Sequence, residues 1–91
     1  MYGVIAQITA TDGDRDALIA ILKENETGMP GCVSYRIAKD ISDANTIWIA
    51  EVWDSADAHR ASLQLPSVQD AIARARPMIA AMGQRIETEP V

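Results

Sequence analysis

Along 91 residues, stretches with strand-like alternation and stretches with helical spacing follow one another in the order β-α-β-β-α-β. That order constrains the fold more than any single motif. Residues 2–10, YGVIAQITA, are β-branched and partly alternating, and read as a strand. Asp12-Gly13-Asp14 makes a turn and leads with acidic residues, which the helix dipole favours at an N-terminus. From Asp14 to about Thr27, Ala17, Leu18, Ile21 and Leu22 form one apolar stripe at helical spacing. Gly28-Met29-Pro30-Gly31 ends that helix and turns the chain. Residues 32–40, CVSYRIAKD, set Val33, Tyr35 and Ile37 against Ser34, Arg36 and Lys39, a second strand. The polar loop Ile41–Asn45 suits a hairpin into the third and most apolar strand, residues 46–53, TIWIAEVW.

Asp54 or Ser55 can cap the next helix, which is expected to run to about Gln64. Pro66 suits the start of another, whose stripe is Val68, Ala71, Ile72, Ala75 and Ile79, with a kink or stop at Pro77. Gly83 follows, and QRIETE reads as the last strand. In one domain spanning 1–91, this order predicts an α+β, ferredoxin-like plan: an antiparallel four-stranded sheet with helices on one face. Side chains alternate along strands, so Val33, Tyr35 and Ile37 share a face with Ile47, Ile49, Glu51 and Trp53. Trp48, Ala50 and Val52 then lie on the other face, beside Ser34, Arg36 and Ala38. A short chain buries little surface and often gains from association. Two faces with large apolar groups therefore predict a homodimer packed sheet to sheet.

Charge narrows the partners. Thirteen acidic against eight basic residues give a net charge of −5, which disfavours nucleic acid and anionic membrane surfaces. The amino-terminal stretch MYGVIAQITATDGD has no basic n-region, and no apolar run is long enough to span a bilayer, so the expected location is the cytoplasm. One cysteine, Cys32, allows no internal disulfide and no thiolate metal site, and one histidine allows no two-histidine site. The five glycines are scattered and form no phosphate loop. Ser55 or Ser62, His59 and Asp57 lack a nucleophile elbow, which argues against a hydrolytic triad.

Two residues stand out. Trp53 ends the third strand facing the helices, and His59, the only histidine, lies in the helix that follows. They can line one cavity, the indole as wall and N–H donor, the imidazole as acceptor of a phenol proton near neutral pH. They can equally be a core tryptophan and a rim histidine. Glu51 on an apolar face calls for a partner, and Arg74, Arg76 or Arg85 is the structural choice. Met78 and Met82 read as core filler or pocket lining.

Glu51-Val52-Trp53-Asp54-Ser55, the alanine-rich helix after it and Leu63-Gln64-Leu65-Pro66 resemble the antibiotic biosynthesis monooxygenase (ABM) family. Met29-Pro30-Gly31-Cys32 before Ser34-Tyr35 fits the same pattern, and the resemblance runs from Tyr2 to about Glu89. The motifs are short; their order along the chain is what is specific. The resemblance implies a dimeric α+β barrel of two ferredoxin-like sheets, with a pocket between each sheet and its helices. It implies, as in some members, oxidation of phenols or hydroquinols to quinones with O₂ and without metal, flavin or haem. Trp53 matches the tryptophan of the family's Trp-x-Ser turn, a pocket residue. His59 falls where a polyketide-oxidising member has a pocket tyrosine.

The chain departs from relatives at three positions. Ile49 stands where polyketide-oxidising enzymes carry an asparagine. Ser62 stands where quinol-oxidising relatives often carry a histidine, one turn beyond His59. Ile72 stands, by spacing, where haem-degrading relatives place an iron-ligating histidine, so haem degradation is not expected. The resulting expectation is a cofactor-independent monooxygenase acting on a small quinol, phenol or polyphenol. His59 and Trp53 are the catalytic candidates, Ile49, Tyr35, Ser62 and Ile72 the substrate-binding ones. No metal and no cofactor are expected; the partners are a small aromatic substrate, O₂ and a second copy of the chain. The rival readings are a non-catalytic small-ligand-binding or stress-related dimer, and a cofactor-free isomerase or lyase on the same scaffold.

Overall fold

A computed structural model describes residues 1–91. The elements are β1 (Tyr2–Ala10), α1 (Arg15–Lys23), β2 (Cys32–Lys39), β3 (Thr46–Trp53), α2 (Ala56–Ser62), α3 (Pro66–Ala75), a 3₁₀ turn (Arg76–Met78) and β4 (Ile79–Thr88). The strands form one antiparallel sheet in the order β2-β3-β1-β4, the ferredoxin-like arrangement expected from the element order. No helix is long and apolar enough to cross a membrane.

Alternation decides the two faces of the sheet. Ile8, Ala10, Ile47 and Ile49 face Leu18 and Ile21 of α1 and Ala71 and Ala75 of α3, and these eight form the core. Leu18 and Ile47 are wholly buried. On the opposite face Ile5 pairs with Ala50 and Ile86, Trp48 with Gln7 and Ala38, and Val52 with Gly3 and Ser34. Ile5 and Ile86 remain 38% and 46% exposed there, so this face keeps apolar surface with no helix over it.

Four local expectations are corrected. Helix α1 stops at Lys23 rather than Thr27: no apolar side chain follows until Met29, and Gly28 turns with φ of 89°. Ala17 is exposed; Leu18 and Ile21 carry the buried stripe, with Ile19 and Leu22 at its margins. Val33 does not join the inner face. A bulge between Cys32 and Ser34 leaves it 55% exposed and places Cys32 opposite Trp53. Strand β4 begins at Ile79, not Gln84. Pro77 ends the helical run in the 3₁₀ turn, and Ile79, Ala81 and Met82 pair with Ala10, Thr9 and Ile8. Ile79 thus belongs to the sheet and not to the α3 stripe.

Candidate active site

The inner row of β3 changes character along its length. Ile47 and Ile49 sit in the core; Glu51 and Trp53 lie beyond it, Glu51 between Val4 of β1 and Tyr35 of β2. The chain then reverses. Ser55 is the N-cap of α2, its Oγ accepting from Ala58 N–H at 3.1 Å, and this aims the helix back over Trp53. Gly31 permits the fit. Its carbonyl accepts from Asp54 N–H at 2.8 Å, its φ is 80°, and a Cβ there would stand 2.7 Å from Ala58 Cβ.

His59 consequently lies over the end of the sheet. Its ring meets Trp53 edge-on, centroids 5.4 Å apart at 71°, and tilts against Tyr2 at 5.7 Å. Trp53 is 1% exposed and its Nε1–H donates to Glu51 Oε1 at 3.0 Å. His59 Nε2 stands 3.9 Å from that same oxygen; the two side chains are only 16% and 14% exposed.

Between sheet and helices opens a cavity of about 520 Å³. Fourteen of its nineteen lining residues are hydrophobic, so its few polar groups decide how a ligand is oriented. His59, Trp53, Ile49, Tyr35, Ser62 and Ile72 all line it. Trp53 is therefore both buried and a cavity wall. Ile72, 40% exposed, stands with Leu63 and Met82 where the cavity meets solvent. Met82 is lining and Met78 packs on the core, one residue for each of the two expected roles.

Two expected polar contacts are spent inside the protein. The Trp53 N–H goes to Glu51, so it is not free to donate to a ligand. The Ser62 hydroxyl donates to the His59 carbonyl at 2.6 Å and closes α2, although Ser62 still borders the cavity. The Asn25 amide donates to the Ser67 carbonyl. The remaining polar residues of the lining are Glu51, His59, Tyr35 and Arg76. Burial first, then the nearby Glu51 carboxylate, pushes the Tyr35 phenol above its ordinary value, so it remains a neutral hydrogen-bonding group. The same two causes raise the Cys32 thiol, which argues against a thiolate nucleophile. No three His, Cys, Asp or Glu side chains come together as a metal site.

Glu51 is the residue that sequence reasoning undervalued. None of the expected arginines reaches it: Arg74 pairs with Glu24 and Asp70, Arg85 with Glu87 and the Tyr2 hydroxyl, and Arg76 makes no ion pair with it. The available signal was its place, an inward strand position between Ile49 and Trp53.

Comparison with known proteins gives this geometry a context. A family model for antibiotic biosynthesis monooxygenase matches residues 1–74. The chain is similar to a crystal structure of a candidate antibiotic biosynthesis monooxygenase from Chloroflexus aurantiacus J-10-fl. The two share 60% identity and a TM-score of 0.96 over 99% of this chain and 92% of the other. A second candidate monooxygenase, from Deinococcus radiodurans, is 22% identical with a TM-score of 0.83 over 100% of this chain and 93% of its own. A conserved protein of unknown function from Bacteroides thetaiotaomicron VPI-5482 is 15% identical with a TM-score of 0.81, covering 96% of each chain. At such identities the last two show the fold alone. Comparison with curated proteins finds no match.

Proposed function

This chain belongs to the antibiotic biosynthesis monooxygenase family, and from that premise we propose that it is a cofactor-independent monooxygenase oxidising a small quinol, phenol or polyphenol with O₂. The observation that carries the reading is the cavity itself: an apolar chamber whose polar end holds His59 and Glu51. Its volume of about 520 Å³ suits a small organic ligand. A cavity of roughly 150 Å³ takes a benzene ring, so there is room for a substituted or multi-ring arene.

The chemistry follows from the residues present. A substrate hydroxyl at the polar end gives its proton to the His59 imidazole: the O–H bond breaks and the electron pair stays on oxygen. The phenolate passes one electron to O₂, leaving an aryloxyl radical and superoxide. These combine at a ring carbon as a peroxide anion, which takes the proton back from the His59 imidazolium. The ring C–H and the O–O bond then break, water leaves, and the quinone keeps one oxygen atom while the other goes into the water. The apolar walls keep water from the phenolate, so electron transfer competes well with reprotonation. Trp53 is the wall that holds Glu51, while Ile49, Ile72 and the Tyr35 ring shape the space. Ser62 acts by closing α2 under His59.

A second copy of the chain completes this reading. Ile5, Trp48, Val52 and Ile86 leave an apolar sheet face without a helix, and a partner sheet would bury it. Light scattering on Ile86→Lys should then report monomers where the natural chain gives dimers.

Oxygen consumption by metal-free protein, with a panel of reduced quinols and polyphenols corrected for autoxidation, tests the function. Saturable uptake with one ¹⁸O atom from ¹⁸O₂ in the quinone is the expected result. Conversion of a substrate without oxygen uptake would instead mean an isomerase.

A further inference from the structure

We infer that Glu51 is a positioning residue: it acts through His59, holding and stabilising the imidazolium that forms when the substrate gives up its proton. This deepens the proposed function and rests on it. Glu51 breaks the apolar row Ile47, Ile49, Trp53, where a hydrophobic side chain would pack at no electrostatic cost. A carboxylate only 14% exposed needs compensation, yet no lysine or arginine provides it. Arg85, the cation near Tyr2, is already paired with Glu87 at 2.8 Å. The groups that meet Glu51 Oε1 are the Trp53 N–H at 3.0 Å and the His59 ring nitrogen at 3.9 Å.

Those two contacts have different meanings. The indole bond fixes where the carboxylate points. The imidazole contact is too long for a hydrogen bond, so it contributes little while the ring is neutral. Once the ring takes the substrate's proton it is a cation facing an anion across that short gap, and the attraction is stronger where both side chains are largely buried than it would be in open water. The substrate's O–H bond breaks, its proton goes to the imidazole, the electron pair remains on the phenolate oxygen, and Glu51 gains no proton. A carboxylate that orients and steadies a histidine without taking its proton is known chemistry in hydrolytic triads.

The test compares Glu51→Gln, which keeps the shape and removes the charge, with the natural protein. Two readouts are needed: kcat and KM for oxygen uptake, and binding of 4-nitrophenol followed by its affinity and by the visible absorbance of its ionised form. The expected result is a fall in kcat of about tenfold to hundredfold with KM within about twofold. The bound nitrophenol should lose most of its phenolate absorbance, and its affinity should fall by the factor by which the ionised bound form is depopulated, severalfold, with binding of the neutral form retained. In a His59→Ala background the same substitution should cause no further loss, because Glu51 acts only through His59. Glu51→Asp, which keeps the charge one methylene further away, should lie between the two and serves where Glu51→Gln does not fold. Equal losses in both backgrounds, or unchanged kcat and phenolate absorbance in Glu51→Gln, would overturn the proposal. Absence of oxygen uptake together with the expected nitrophenol behaviour would sink the monooxygenase reading and leave Glu51's role standing. Failure of the natural protein to bind nitrophenol would overturn both.

Discussion

The two tryptophans of β3 make the same bond in different settings. Trp48 Nε1–H donates to Asp40 Oδ1 at 2.9 Å, and Trp53 Nε1–H to Glu51 Oε1 at 3.0 Å. The first pair lies on the outer face at the β2–β3 hairpin. Asp40 there also accepts from the backbone N–H groups of Ser42 and Asp43, so the carboxylate is a turn fastener with its hydrogen-bonding capacity well used. The second pair lies at the cavity end of the inner face. Glu51 takes no backbone donor and instead faces an imidazole. A tryptophan–carboxylate bond thus says nothing by itself about role. What the carboxylate has left over, and what that remainder faces, makes the difference.

Four substitutions should separate the two settings, beginning with the largest effect. His59→Ala removes the proposed proton acceptor and should lower turnover by about 10²–10⁴ while the melting temperature stays within a few degrees. Steady-state oxygen uptake and a thermal melt on the same sample check both halves. Leu18→Ala opens a hole in the closed end of the core, where the side chain is wholly buried. It should cost about 2–5 kcal/mol in urea unfolding and leave the kcat of the folded protein within about threefold. A large kcat loss there would break the division between a dry core and a reactive cavity end.

Trp53→Phe keeps an aromatic wall but strips Glu51 of its one bonded donor. A stability loss of about 1–3 kcal/mol is expected, with a fall in turnover beside it. Trp48→Phe is the matching change on the outer face, and turnover should not move. Its signature is in acid. The Trp48 N–H, then the Ser42 and Asp43 N–H groups, hold the Asp40 carboxyl below its usual value. A depressed carboxylate pKa contributes stability that is present above the unfolded-state value, near 3.8, and is lost as pH falls through the folded-state value. The melting-temperature gap between the natural protein and Trp48→Phe should therefore be widest at neutral pH and narrow below about pH 4. A gap that widens in acid would contradict the sign.

Period and punctuation made much of this legible. Alternation through TIWIAEVW puts Ile49, Glu51 and Trp53 on one face with Tyr35, and the Ser55 cap brings His59 back over them. The residues singled out for substrate binding line the cavity because strand and helix periods dictate the faces they occupy. What stayed hidden depends on single-residue irregularities or on long side chains. A bulge flips Val33 outward, and a period of two carries no sign of one inserted residue. Ile79-Ala80-Ala81-Met82 resembles a continuing helix, and only pairing with β1 makes it a strand. Glu51 could not be matched to its partner because Arg74 and Arg85 are held elsewhere by nearer carboxylates, and Arg76, though it lines the same cavity, forms no ion pair with it.

The most direct test of the account is oxygen uptake by metal-free natural protein beside His59→Ala, on the best substrate of a quinol panel. Saturable uptake that falls by at least about a hundredfold in the variant, with both proteins folded, is the predicted result. Uptake that survives His59→Ala within threefold would contradict it, and the polar end of the cavity would then not be where the proton leaves the substrate.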